Sequence, residues 1–197
     1  MIYNKNMEEV FRTIYEFIIN LVNSSSMWGP LFACFLILIE SILPVLPVFV
    51  FITVVFISYG TIIGFIVSWI FTILGCIMSY YLSKYLTSNW IKTDNKKLKK
   101  LSKRINKITF SQLVILIAIP FTPAFLVNIA AGLSKMDIKK YISALAIGKL
   151  SLVAFWGFIG TSLVESLKDP TILIKIVILV LIAYVLSKVA NKKLKLT

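Results

Sequence analysis

Apolar residues run through this chain in blocks too long and too uniform for the alternating, half-buried elements of a soluble fold. Three blocks, 61–87, 141–163 and 171–190, exceed the roughly 18 apolar residues that mark a membrane-crossing helix, and each is predicted to span. Ahead of them, residues 6–22 mix Glu8, Glu9, Arg12 and Glu16 with Val10, Phe11, Ile14, Phe17, Ile18 and Leu21 at helical spacing. That pattern predicts an amphipathic helix lying in the interface. Its length of about 26 Å also barely allows it to cross, with Arg12 and Glu16 paired at i, i+4. It lacks the basic start and small-residue cleavage site of a secretory leader.

Two further apolar blocks are broken by proline. The second, LIAIPFTPAFLVNIAAGL from Leu116 to Leu133, carries Pro120 and Pro123 in its middle. Each proline removes a backbone donor and clashes with the carbonyl four residues back. Broken backbone survives at membrane depth only inside protein or beside water. The expected form is a re-entrant hairpin: a half-helix to Ile119, a turn over Pro-Phe-Thr-Pro, and a half-helix back to Gly132. A proline-kinked span is the plainer alternative. Thr122 and Asn128 supply this hairpin's hydrogen-bonding side chains. The first block, LILIESILPVLPVF from Leu36 to Phe49, repeats the device with Pro44 and Pro47, 76 residues earlier. At that offset Ile39 falls on Ile115, Phe49 on Phe125, Phe65 on Tyr141 and Ile66 on Ile142. Paired interrupted helices in corresponding places are a mark of transporters built from repeats.

Composition agrees: 59% of the 197 residues are hydrophobic, and the mean hydropathy is +0.93. The formal charge of +13 sits at the ends of apolar runs, which fits topology and anionic headgroups and argues against nucleic acid. Cys34 and Cys76 lie inside apolar segments as small buried hydrophobes, so neither a disulfide nor a metal site is expected. The absence of histidine excludes His-dependent catalysis, and no phosphate loop or nucleophile elbow is present. Neither an enzyme nor a cofactor is expected.

Segment 88–107 carries eight Lys or Arg against one Asp and is expected in the cytoplasm, against anionic headgroups. Ser134 to Lys140 is also basic, so the second hairpin enters from the cytoplasm and returns to it. Residues 165–170 then lie outside, and the basic C-terminus inside. The first hairpin opens outward, which makes the two halves inverted. Tyr80, Tyr81, Lys84, Tyr85 and Trp90 are read as an interfacial belt.

Two charges lie at membrane depth. An ionisable group there costs roughly 2.5–3.5 kcal/mol or more, so each is a functional candidate. Glu40, four residues before Pro44, suits a proton carrier, or caps the broken helix through backbone amides. Lys149, nine residues into the 141–163 span, pairs with Glu40, binds an anionic headgroup, or snorkels along a tilted helix. Gly148, Gly157 and Gly160 allow close helix approach beside it. Lys175, nearer a helix end, is read as snorkelling.

Glu40-Ser-Ile-Leu-Pro44-Val-Leu-Pro47 resembles the acidic, proline-containing first motif of the DedA-like superfamily. Pro120-Phe-Thr-Pro123, Asn128 and Ala130-Ala-Gly132-Leu resemble its second, closest to the VTT-domain branch, also called the SNARE-associated Golgi protein family. The resemblance covers roughly Leu31 to Gly160. It implies two re-entrant hairpins facing each other across the membrane and movement of lipids between leaflets. It carries a functional role onto Glu40, Pro44, Pro47, Pro120, Pro123 and Asn128. One departure is Ile117, where many members have Arg; either Lys149 replaces it from the next span or the substrate differs from undecaprenyl phosphate.

The expected molecule is all-α and polytopic, with two inverted re-entrant hairpins and about four spanning helices. It divides into an N-terminal helix (1–23), a transmembrane domain (31–163, with repeats 31–87 and 108–163) and a C-terminal helix with basic tail (171–197). The function expected is a lipid flippase or scramblase for phospholipid or polyprenyl phosphate, proton-coupled through Glu40. The alternative is a proton-coupled transporter of a small solute or ion.

Overall fold

The computed structural model describes residues 28–43, 47–89, 107–122, 124–166 and 171–193, together with residues 13, 16, 20, 103, 105 and 169. Pro44, Pro123, most of the amphipathic N-terminal segment, residues 90–102, Lys168 and the end of the basic tail lie outside the described residues. The described residues form six helices and no strand: α1 (Trp28–Glu40), α2 (Val48–Asn89), α3 (Phe110–Ala118), α4 (Ala124–Leu133), α5 (Ile138–Glu165) and α6 (Thr171–Lys193). Three of these, α2, α5 and α6, are long and apolar enough to cross a membrane. The expected fourth span falls on the N-terminal segment, where only Thr13, Glu16 and Asn20 are described, helical and exposed.

The three remaining helices are short. At 1.5 Å per residue, the 13 residues of α1 reach about 20 Å, and the 9 of α3 and 10 of α4 about 15 Å or less, against a hydrocarbon core of about 30 Å. Their ends fall where the prolines place them. α1 stops at Glu40, and α2 begins at Val48, directly after Pro47. α3 stops at Ala118, and Ile119 turns extended (φ −81°, ψ 123°), the conformation forced on a residue preceding proline. Phe121 then takes a left-handed φ of 65°, and α4 begins at Ala124, directly after Pro123.

Helix α2 is itself two helices, 48–59 and 61–89, meeting at Gly60, whose φ of 76° and ψ of 169° lie outside the helical region. Only glycine occupies that conformation readily. Beyond the break the chain folds back closely: a Cβ at Gly64 would stand 2.7 Å from the Phe56 Cα. The second half has its own break, Ser134 to Asp137, between α4 and α5. Val48 and Ala124, which open the helices after the two Pro-x-x-Pro segments, are 76 residues apart, as are Gly60 and Met136.

Thr109 and Gln112 form a reciprocal capping box that starts α3, satisfying two donors that the first turn leaves free. Asp137 caps α5 by accepting from the Lys140 amide at 3.0 Å. Lys140 reaches back, and its Nζ donates to the Ile108 carbonyl at 2.8 Å. The chain therefore enters α3 and starts α5 at the same end of the bundle.

Two apolar cores result. One gathers α1 and the first half of α2 around Ala33, Ile37, Ile52, Val55 and Val153. The other joins α3, α4, α5 and the far part of α2 around Leu113, Leu116, Ala131, Tyr141 and Leu145. Gly132, Gly157 and Gly160 lie where helices cross closely: added methyl groups there would meet the Tyr80 carbonyl, the Phe56 ring and Thr53. Helix α6 packs on α5 and more lightly on α3. Most of its apolar residues face outward, as a lipid-facing helix requires.

One sequence expectation is corrected here. Tyr80 does not belong to an interfacial belt; it is 1% exposed, stacked on Tyr141 at 5.1 Å, and donates to the Met136 carbonyl at 2.6 Å. Its helical register turns it inward, while Tyr81 and Tyr85 remain outside. Lys84 lies over the Tyr80 ring at 5.9 Å.

Candidate functional site

Between the two cores, a cavity of about 250 Å³ opens where the broken segments meet α2 and α5. Glu40 and Ser41 line it from the end of α1, Thr72 and Cys76 from α2, and Thr122 from the turn after α3. Asn128 reaches it from α4, and Lys149 and Trp156 from α5. Four of the sequence-selected residues thus share one small space: Glu40, Thr122, Asn128 and Lys149. Pro47 is exposed at the start of α2, Pro120 is half-buried, and Gly132 lies away from the cavity against Tyr80 and Ser83.

Lys149 is 4% exposed. It does not snorkel to the surface, and among the described residues it has no hydrogen-bond or ion-pair partner. A buried ammonium is costly unless something compensates it. Glu40 lies within electrostatic reach, yet no direct ion pair joins the two. The expected Glu40–Lys149 pairing is therefore not a contact; the two charges line one cavity. Lys175, by contrast, is exposed on α6.

Ile117, where the sequence departs from the motif it resembles, faces α5. Ile117 is buried, and its side chain would stand 2.8 Å from a Cβ placed on Gly148. A side chain at 117 therefore faces α5 at the residue beside Lys149. The missing glycine side chain makes room for that contact, and Lys149 supplies positive charge one residue away.

The polar lining is fixed from behind. Asn128 is 2% exposed. Its Oδ1 accepts from the Tyr141 hydroxyl at 2.7 Å, and its Nδ2 donates to the Ser41 carbonyl at 3.5 Å. Asn128 in the second half thereby touches the residue next to Glu40 in the first. Thr72 donates to the Trp69 carbonyl at 2.9 Å and Ser41 to the Ile37 carbonyl at 3.3 Å, so each hydroxyl has spent its proton on its own helix. The Thr122 Oγ1 is buried and has no partner among the described residues. Polar atoms left in this state at a cavity wall are ready to bond a guest.

Phe121 and Trp156 close one side, with ring centroids 5.5 Å apart in an edge-to-face arrangement. Phe121 also meets Tyr184 of α6 at 6.2 Å. Sequence reasoning did not select Tyr141 or Trp156. Tyr141 was visible only as the partner of Phe65 in the repeat, and nothing in an isolated aromatic marks it as the holder of an asparagine. Trp69, whose indole donates to the Ala146 carbonyl at 2.9 Å, was equally unmarked; it ties α2 to α5 one turn from Lys149.

Residues 43–162 match the VTT domain, a stretch that contains Lys149, Asn128 and both proline breaks and begins just after Glu40. The chain is 33% identical over 180 residues to an uncharacterized membrane protein, YhjE, of Bacillus subtilis (strain 168), covering 90% of this chain and 86% of that protein. No solved structure matches.

Proposed function

The chain belongs to the VTT domain family of membrane proteins, and on that premise we propose that it moves a lipid headgroup between leaflets through the Glu40–Lys149 cavity. The observation that carries this reading is the buried Lys149, the one buried lysine among the described residues, sharing a small cavity with Glu40 and the Thr122 hydroxyl, which has no partner among the described residues. At about 250 Å³ the space falls below the roughly 300–1,000 Å³ of pockets that enclose drug-sized ligands. It accommodates a headgroup while the acyl chains stay in the bilayer. Lys149 attracts the phosphate of a phospholipid or polyprenyl phosphate, Thr122 and Asn128 offer hydrogen bonds, and Glu40 accepts or releases a proton as the headgroup passes.

In this reading the segments around Pro44–Pro47 and Pro120–Pro123 are inverted re-entrant hairpins. The bond from Lys140 to Ile108 supports the second, because a segment that returns to its starting end has not crossed. The basic segment 88–107 and the C-terminus face the cytoplasm and its anionic headgroups. Reconstitution into liposomes tests the function. Fluorescent phospholipid should become accessible to a membrane-impermeant quencher faster with the protein than without it, while a trapped small solute stays inside. Solute flux without lipid exchange would instead support a proton-coupled solute transporter.

A further inference from the structure

A second and larger space lies away from the central cavity. It is a groove of about 550 Å³ between α2, just beyond the Gly60 break, and the last turns of α5. Its walls are apolar over most of their length: Phe56, Ile62, Phe65 and Ile66 on α2, and Ala154 and Phe158 on α5. It opens sideways, since Ile62 is 77% exposed and Phe158 57%. Polar groups gather at one end only: Thr61 on one wall, and Thr161, Ser162 and Glu165 on the other. An apolar trough with a polar collar has the outline of one acyl chain and the headgroup above it.

The chemistry of the collar is one-sided. The Thr161 hydroxyl points its proton back at the carbonyls of Gly157 at 2.9 Å and Phe158 at 3.2 Å. What it shows the groove is therefore an acceptor. Glu165 lies one turn further along the same helix face, exposed, and its carboxylate makes no ion pair or hydrogen bond among the described residues. Two acceptors, one of them charged, repel a phosphate and suit a primary ammonium, which carries three donors and no acceptor. The depth is suitable as well. The 28 residues of α5 measure about 42 Å, longer than a hydrocarbon core of about 30 Å, so its last turn emerges at headgroup level.

We propose that this groove binds an aminophospholipid, with one acyl chain between α2 and α5 and its primary ammonium on Glu165 and Thr161. The site is separate from the central cavity, and its occupancy does not depend on that cavity transporting anything. Lys168, three residues beyond Glu165, lies outside the described residues and is the competing cation to control for.

The test uses the full-length protein in phosphatidylcholine nanodiscs doped with phosphatidylethanolamine bearing a photoreactive diazirine in its acyl chain. Crosslinks are mapped by mass spectrometry. Labelling is expected within 56–66 and 154–165, displaced by unlabelled phosphatidylethanolamine but not by phosphatidylglycerol or N-acetylated phosphatidylethanolamine. Glu165→Gln should lower it by about fivefold, the size of one charge-assisted contact at an exposed site. Thr161→Val, which keeps the shape and removes the acceptor, should lower it too, and Lys168→Ala should keep or raise it. Equal displacement by phosphatidylglycerol would reduce the groove to ordinary annular lipid and overturn the proposal. Crosslinks between two copies of the chain through Ile62 or Phe158 would overturn it as well, by making the groove a dimer contact. The displacement series on the wild-type protein stands even if a variant fails to fold.

Discussion

Removing the Tyr141 hydroxyl isolates the element that holds the two halves of the site together. Tyr141 is 0% exposed, and its hydroxyl donates at 2.7 Å to the Oδ1 of Asn128, whose own Nδ2 reaches the Ser41 carbonyl. Phenylalanine at 141 keeps the ring stacked on Tyr80 at 5.1 Å, so packing is nearly unchanged. What is lost is the bond to Asn128 and a longer one to the Cys76 carbonyl at 3.5 Å, and the Asn128 oxygen becomes a buried acceptor without that donor, a cost of about 1–3 kcal/mol. For a chain of this length each kcal/mol lowers the melting temperature by about 2–4 °C, so Tyr141→Phe should lower it by roughly 2–12 °C. Thermal unfolding in detergent, followed by circular dichroism, measures the shift. Asn128→Leu should destabilise as well, and the double variant should lose less than the two singles summed, since both break the same contact. An unchanged melting temperature in Tyr141→Phe, or strict additivity in the cycle, would show that Tyr141 does not hold Asn128.

Three other outcomes follow from different parts of the molecule. A cysteine at Lys99 should be labelled only from the cytoplasm and one at Lys168 only from outside, by the charge asymmetry of their loops; access to both from one side would end the inverted-halves reading. Gly132→Val should destabilise by about 1–3 kcal/mol through overpacking against Tyr80 and Ser83, seen as an earlier thermal transition; a neutral result would mean that α4 and α2 can separate freely. Asp169 accepts from the Thr171 amide at 3.0 Å and its hydroxyl at 2.6 Å, contacts that hold its carboxyl below its ordinary 3.8. Because the folded value is depressed, the stability it lends α6 is complete above that range and is lost as the pH falls below it. Protection factors at the start of α6, corrected for the intrinsic pH dependence of amide exchange, should therefore fall at low pH in the wild type and already be low at neutral pH in Asp169→Ala; equal protection in both would remove the cap's role.

Much of this architecture was legible because proline and glycine act locally. The ends of α1 and α3 and the starts of α2 and α4 follow from the chemistry of Pro44, Pro47, Pro120 and Pro123. Glu40 and Lys149 were legible as charges out of place, and the structure brings them to one cavity. The sharpness of the Gly60 break was less visible, since glycine in an apolar run is as often tolerated as broken. The inward turn of Tyr80 was misread, because a tyrosine near lysines at a helix end has the same local signature whether it faces lipid or protein. Tyr141, Trp69 and Trp156 could not be assigned at all: their roles depend on which carbonyl or side chain a distant helix places opposite them.

The central claim is that Glu40 and Lys149 serve one pathway across a shared cavity, and lipid exchange in liposomes tests it most directly. Wild-type protein, Glu40→Gln and Lys149→Met are reconstituted at equal density, after each variant is shown by gel filtration to be folded. The account predicts that both variants lose exchange of fluorescent phospholipid between leaflets while the wild type retains it. Exchange at the wild-type rate in Lys149→Met would contradict it, because the buried ammonium would then have no part in carrying the headgroup.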